Sequence, residues 1–134
     1  MKRTFSTRSI LIIFFSFLSS ISYGQNVQSH MLDGTEIEYT YPDEGTVVVT
    51  FYEGLVKFNW IAGPSSGEKG GGHAYRARKI SDKEYFVNWY ELDTHDFITL
   101  LINFETKKVY GSALLAKDES VIFDEAEIRR VKRK

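Results

Sequence analysis

The 134-residue sequence contains no cysteine and only two prolines, and it has no excess of positive charge. Without cysteine no disulfide can form, so the core alone must stabilise the fold. A domain of about 100 residues is large enough to provide such a core. Aromatic residues make up 15% of the chain, a share that favours a β-rich protein.

The N-terminus has the pattern of a cleaved signal peptide. Lys2, Arg3 and Arg8 form a basic start, and the apolar run 10–18 that follows is interrupted only by a serine. That run is far shorter than the roughly 20 residues of a membrane span. Small residues then precede Gln25 at the positions that signal peptidase requires. We therefore expect residues 1–24 to be removed and residues 25–134 to form one exported domain without a transmembrane segment, in the bacterial periplasm or secreted.

The predicted mature chain is acidic. After removal of the three basic residues of the leader it retains 14 Lys and Arg against 18 Asp and Glu, a net charge of −4. A surface that binds nucleic acid carries clustered positive charge. The charge balance therefore argues against a nucleic-acid partner. Residues 129–134 at the C-terminus are basic, and we expect them to form a solvated, frayed tail. Contact of this tail with an anionic membrane surface is the lesser alternative, because the mature chain is acidic overall.

Alternating apolar and polar residues, separated by turn residues, predict about eight short strands. The last of them, residues 121–131, reads as a strand or a helix, and alternation favours the strand. The predicted strands are residues 35–41, 46–52, 55–61, 73–80, 84–91, 96–104, 108–115 and 121–131. Hairpin-length connections predict an all-β fold: a small eight-stranded antiparallel up-and-down β-barrel. The Gly- and Ser-rich segment 63–72 is expected to be a flexible loop that could cover one end of the barrel.

Several segments, taken in order, resemble the MoaF-like family of calycin-type, lipocalin-like barrels. The resemblance covers roughly residues 32–131, and it implies a small barrel without implying a reaction. The segments are Tyr39-Thr40-Tyr41, Trp60-Ile61-Ala62-Gly63-Pro64, Tyr75-Arg76-Ala77-Arg78-Lys79-Ile80, Val87-Asn88-Trp89-Tyr90-Glu91 and Val109-Tyr110-Gly111-Ser112.

The chain is more distantly similar to phenolic acid decarboxylases. Tyr39 and Tyr41 match that family's substrate-orienting tyrosines, and Glu91, two residues after Trp89, matches its catalytic glutamate. Trp60 stands where the family has a carboxylate-binding arginine. This departure argues against decarboxylation.

Glu91 is the strongest candidate residue because it ends an otherwise apolar strand face, Tyr85, Val87 and Trp89. A carboxylate on a buried face requires a partner or a proton. It could act as an acid/base, or it could form an ion pair with Arg76 or Arg78 on the preceding strand.

Other candidate residues are predicted to bind a ligand inside the barrel. They are Tyr39, Tyr41, Trp60 and Trp89, together with Arg76 or Arg78 if one of these arginines reaches inward rather than lying in an outer ion-pair ladder.

No cofactor and no metal are expected from the sequence. The three histidines, His30, His73 and His95, are isolated and lack the paired spacing of metal ligands. The leading hypothesis is an exported barrel that binds a small apolar or aromatic molecule. One alternative is a cofactor-free lyase or isomerase with Glu91 as acid/base. The other is a protein-interaction module with a filled barrel, and the oligomeric state is left open.

Overall fold

The computed structural model describes residues 30–134, and these form a closed barrel of eight antiparallel strands in up-and-down order. Residues 1–29, with the predicted signal peptide, lie outside the described part of the chain. The strands are β1 Thr35–Tyr41, β2 Gly45–Tyr52, β3 Leu55–Ala62, β4 Lys69–Ser81, β5 Glu84–Tyr90, β6 Phe97–Asn103, β7 Lys108–Leu115 and β8 Ser120–Arg133. The predicted fold class is confirmed. Within residues 30–134 no helix is long and apolar enough to cross a membrane.

Alternation along each strand places apolar side chains inside the barrel. In β5, Tyr85, Val87 and Trp89 are buried while Phe86 and Tyr90 are exposed. This period of two is the pattern expected for strands with one face in the core. β1 closes the barrel by pairing with both β2 and β8, so each of the eight strands of residues 30–134 has a neighbour on both sides.

One end of the barrel is closed by packed side chains. Leu32, in the turn before β1, is fully buried, and its N–H donates a hydrogen bond to the Tyr75 hydroxyl at 3.0 Å. That hydroxyl donates in turn to Asp33 at 2.8 Å. The Tyr75 ring packs edge-on against Phe51 with ring centroids 4.9 Å apart. The N-terminal turn therefore acts as a plug at this end, and the main cavity lies at the opposite end.

Two predictions about irregular segments are wrong. The loop predicted for residues 63–72 is shorter, because β4 begins at Lys69 and pairs with β3. The extra residue Gly72, at φ +78°, accommodates a shift in register between these strands, as in a β-bulge. The tail is not frayed either, since Arg133 pairs with Thr35 at the end of β8.

Candidate functional site

The open end of the barrel leads into a cavity of about 730 Å³. Its walls are mostly aromatic and aliphatic, and its rim is polar. The wall includes Tyr39, Tyr41, Val47, Val49, Phe58, Trp60, Trp89, Ile98 and Leu100. This volume falls within the range of about 300–1,000 Å³ that is typical of small-molecule pockets. Residues 30–134 therefore do not fill the barrel, which removes the premise of a protein-interaction module with a packed interior.

The two tyrosines of β1 lie side by side in the cavity wall. Their rings meet edge-on with centroids 5.5 Å apart, and Tyr41 also lies 6.2 Å from Trp60. Burial raises the pKa of Tyr39 well above its usual value, and the neighbouring Tyr41 adds to this rise. Burial also raises the pKa of Tyr41, with a further contribution from the negative charge of Asp124. Both hydroxyls are thus neutral hydrogen-bond donors at physiological pH.

Gly111 provides the space that Tyr41 occupies. A Cβ atom built on Gly111 would come within 2.1 Å of the Tyr41 hydroxyl oxygen. A glycine within a strand often marks such a close approach. Tyr41 can therefore lean into the cavity only because position 111 in β7 has no side chain. Sequence reasoning missed Gly111 as a site residue, because nothing within β7 itself indicates the approach of Tyr41 from β1.

Glu91 lies in the cavity wall and is only 5% exposed. Its Oε1 accepts a hydrogen bond from Trp89 Nε1 at 3.0 Å, and its Oε2 accepts one from Thr94 Oγ1 at 3.1 Å. Both donors come from the same end of β5 as the carboxylate itself. These hydrogen bonds supply the partners that a buried carboxylate requires.

Arg76 and Arg78 do not contribute to this cavity. Both are exposed on the outer face of β4, opposite Asn88 and Phe86 of β5. Side chains alternate between the two faces of a strand. Tyr75 and Ala77 point inward, so Arg76 and Arg78 point outward. The suggested ion pair with Glu91 is therefore absent, and Trp89 and Thr94 take its place.

The cavity thus brings together five of the residues singled out from the sequence: Tyr39, Tyr41, Trp60, Trp89 and Glu91. Sequence reasoning missed Phe58 and Ile98 of the same wall, although their inward positions follow from strand alternation. It also missed His73, which β4 places next to the end of β5. There one ligand atom each of His73, Glu91 and Asp93 lies within 4.8 Å of the others.

The rim of the cavity is acidic. Glu44, Glu68, Asp96 and Asp118 line it, and among the lining residues of the described part of the chain, 30–134, Lys69 is the one cation. With Glu91 deeper in the wall, negative charge dominates the approach to the interior. Such a field repels anions and attracts neutral or cationic molecules.

Comparisons with known proteins agree with the barrel architecture. A family model described as MoaF-like matches residues 23–128. A crystal structure of a "putative beta-lactamase" from Burkholderia vietnamiensis superposes with a TM-score of 0.65 at 15% sequence identity, covering 78% of this chain and 96% of that one. At this identity the likeness shows the fold alone. No curated protein sequence matches the chain.

Proposed function

The chain belongs to the MoaF-like family, and from this premise we propose that it binds one small apolar or aromatic molecule in the open end of its barrel. The observation that carries the proposal is the cavity of about 730 Å³ with a predominantly apolar wall. Aromatic walls bind such ligands through burial and ring contacts. We further propose, from the signal-peptide pattern, that binding takes place after export.

The charge around the cavity narrows the ligand class. The acidic rim and Glu91 disfavour a ligand with a carboxylate, and Lys69 is the sole basic side chain that residues 30–134 contribute to the cavity lining. A cationic group would instead be attracted to the carboxylates and to the ring faces of Tyr41 and Trp60. The proposed ligand is therefore neutral or positively charged, and its polar atoms can accept a hydrogen bond from a neutral tyrosine hydroxyl.

Intrinsic fluorescence provides a direct test, because the chain has two tryptophans and both line the cavity. Three molecules that share a phenol ring make a matched series: para-ethylphenol, tyramine and para-hydroxyphenylacetate. We expect the neutral and cationic phenols to change the fluorescence saturably, and the anion to bind at least about tenfold more weakly because of like-charge repulsion.

Two adjacent positions of β7 supply a matched pair of variants. Ala113 lines the cavity, whereas Leu114 is 50% exposed on the outer face. Ala113→Phe should fill part of the cavity and weaken binding, while Leu114→Phe should leave it unchanged. Equal affinities for both variants would place the ligand outside the barrel and refute the proposal.

A second candidate function is a lyase or isomerase reaction with Glu91 as acid/base. The position of this carboxylate in the aromatic wall favours it. Glu91→Gln should then abolish turnover of a cavity ligand while leaving its binding within a few-fold of wild type. Turnover that survives the substitution would eliminate Glu91 as the acid/base and leave the binding function as the better account.

A further inference from the structure

A histidine from β4 and two carboxylates that follow β5 converge at one corner of the open end. Tyr75 pairs with Trp89 in the β4–β5 ladder. In an antiparallel ladder, the residue two positions before one member of a pair lies beside the residue two positions after the other member. His73 and Glu91 are therefore neighbours although 18 positions separate them. Asp93 follows in the next turn and brings an oxygen to 3.8 Å from His73 Nε2.

The burial of the His73 imidazole provides a second, independent observation at this corner. The side chain is 6% exposed, and Nε2 has no hydrogen-bond partner among residues 30–134. Buried polar atoms nearly always have a partner. The orphan nitrogen points to the two carboxylates, which are acceptors or metal ligands rather than donors.

We propose that His73, Glu91 and Asp93 bind a divalent transition-metal ion, and that zinc fits the set best. Zinc takes imidazole nitrogen and carboxylate oxygen at about 2.0–2.2 Å. The three ligand atoms already lie within 4.8 Å of one another. Coordination of a central ion at these bond lengths draws the three groups closer together. Asp93 is the most exposed of the three, with 70% of its side chain at the surface, so its carboxylate can supply part of this movement.

The surroundings of Glu91 also suit a ligand. Each carboxylate oxygen can accept more than one hydrogen bond, so the bonds from Trp89 and Thr94 leave lone pairs for an ion. Such outer hydrogen bonds orient the ligating groups of metal sites. Three protein ligands leave a fourth tetrahedral position for water or for an atom of a cavity ligand. Mg²⁺ and Ca²⁺ prefer more oxygen ligands than this corner offers.

The experiment is a calorimetric titration of the chelator-treated full mature chain with zinc, alongside a parallel titration with Mg²⁺. The chain has three histidines, which permits a strict control. Wild type and the His30→Gln/His95→Gln double variant should each bind one zinc ion per chain. His73→Gln should lose at least about tenfold in affinity, since removal of even an outer-shell partner typically has an effect of 10–100-fold.

Asp93→Asn keeps the test valid if His73→Gln disturbs folding. Asp93 is exposed, so its substitution removes a ligand oxygen without touching the core, and near-ultraviolet circular dichroism of the tryptophans verifies the fold. We expect this variant to lose at least about tenfold in zinc affinity as well. Undiminished zinc binding by folded Asp93→Asn, a loss in the histidine double variant equal to that in His73→Gln, or no zinc binding by wild type would each overturn the proposal. The phenol titrations above are made on the chelator-treated chain without added metal, so either proposal can fail alone.

Discussion

The Tyr41 hydroxyl occupies the space where a side chain at position 111 would begin. A Cβ on Gly111 would lie 2.1 Å from that oxygen and 3.2 Å from the ring carbon that carries it. Strand β7 therefore determines how far Tyr41 of β1 reaches across the cavity. The contact spans 70 positions in sequence and joins two strands that are not neighbours in the sheet.

Gly111→Ala should destabilise the barrel and displace Tyr41. Overpacking of this kind typically costs about 1–3 kcal/mol. Tyr41→Phe removes the atom in closest conflict, so the double variant should be less destabilised than the sum of the single changes. Urea denaturation of the four proteins measures this coupling. Strict additivity would show that Tyr41 and Gly111 do not share this space in solution.

The loss of stability on replacement of Glu91 should depend on whether the new side chain can accept a hydrogen bond from Trp89. Glu91→Gln retains an acceptor for Trp89 Nε1, and a loss of about 1 kcal/mol is expected. Glu91→Leu leaves the indole N–H buried without a partner, at a cost of about 1–3 kcal/mol. Chemical denaturation followed by tryptophan fluorescence measures both. A Leu variant as stable as the Gln variant would argue against the hydrogen bond from Trp89.

The closed end depends on the Tyr75 hydroxyl. Tyr75→Phe removes the acceptor of the buried Leu32 N–H and the donor to Asp33. We expect a loss of about 1–3 kcal/mol in the free energy of unfolding. Tyr110→Phe is the matched control because Tyr110 is 41% exposed, and a change within about 0.5 kcal/mol is expected there. Equal effects would mean that the plug contributes little to stability.

Stability should decline at alkaline pH. Burial raises the pKa values of Tyr39 and Tyr41 in the folded chain. Above the unfolded tyrosine pKa of about 10 the unfolded chain releases these protons while the folded chain retains them. Their contribution to stability is complete below pH 10 and is lost as the pH rises further, by up to about 1.4 kcal/mol per pH unit for each group.

Urea midpoints between pH 8 and pH 11 test this expectation. Tyr39→Phe should flatten the alkaline decline because phenylalanine has no proton to release. Tyr110→Phe, which removes an exposed hydroxyl, is the comparison. A decline of wild-type steepness in Tyr39→Phe would show that the buried hydroxyl does not contribute to it.

Truncation after Arg130 should destabilise the barrel because β8 continues to Arg133. Val131 and Arg133 pair with Ile37 and Thr35 of β1, and the Arg133 guanidinium lies 5.0 Å from the centre of the Phe104 ring. We expect a loss of more than about 1 kcal/mol, since the backbone pairing of residues 131–133 with β1 disappears. Removal of Lys134 alone is the comparison, because it takes away one backbone hydrogen bond, to Gly34 at 3.2 Å, and should have the smaller effect. A truncated chain of wild-type stability would restore the interpretation of a frayed tail.

The strands and their faces could be predicted from the sequence because alternation is a local property. The alternation of Tyr85, Val87 and Trp89 predicted that the Glu91 side chain lies on the buried face of its strand. The same rule predicted that Tyr39 and Tyr41 share one face of β1. Eight such segments with hairpin connections were enough to indicate an up-and-down barrel. None of these inferences required knowledge of the cross-strand register, that is, of which residues on neighbouring strands lie side by side.

Tertiary structure decided the rest, since it depends on pairing between distant segments. Glycines disfavour strands locally, yet Gly70 and Gly71 pair with β3 and leave room for the Phe58 ring and for Lys57. The basic tail is ordered by β1, and Glu91 is held by Trp89 and Thr94 rather than by the arginines. His73 reaches Glu91 only through the register of β4 and β5. Each outcome follows from a cross-strand register, which residues distant in sequence set jointly and no single segment encodes.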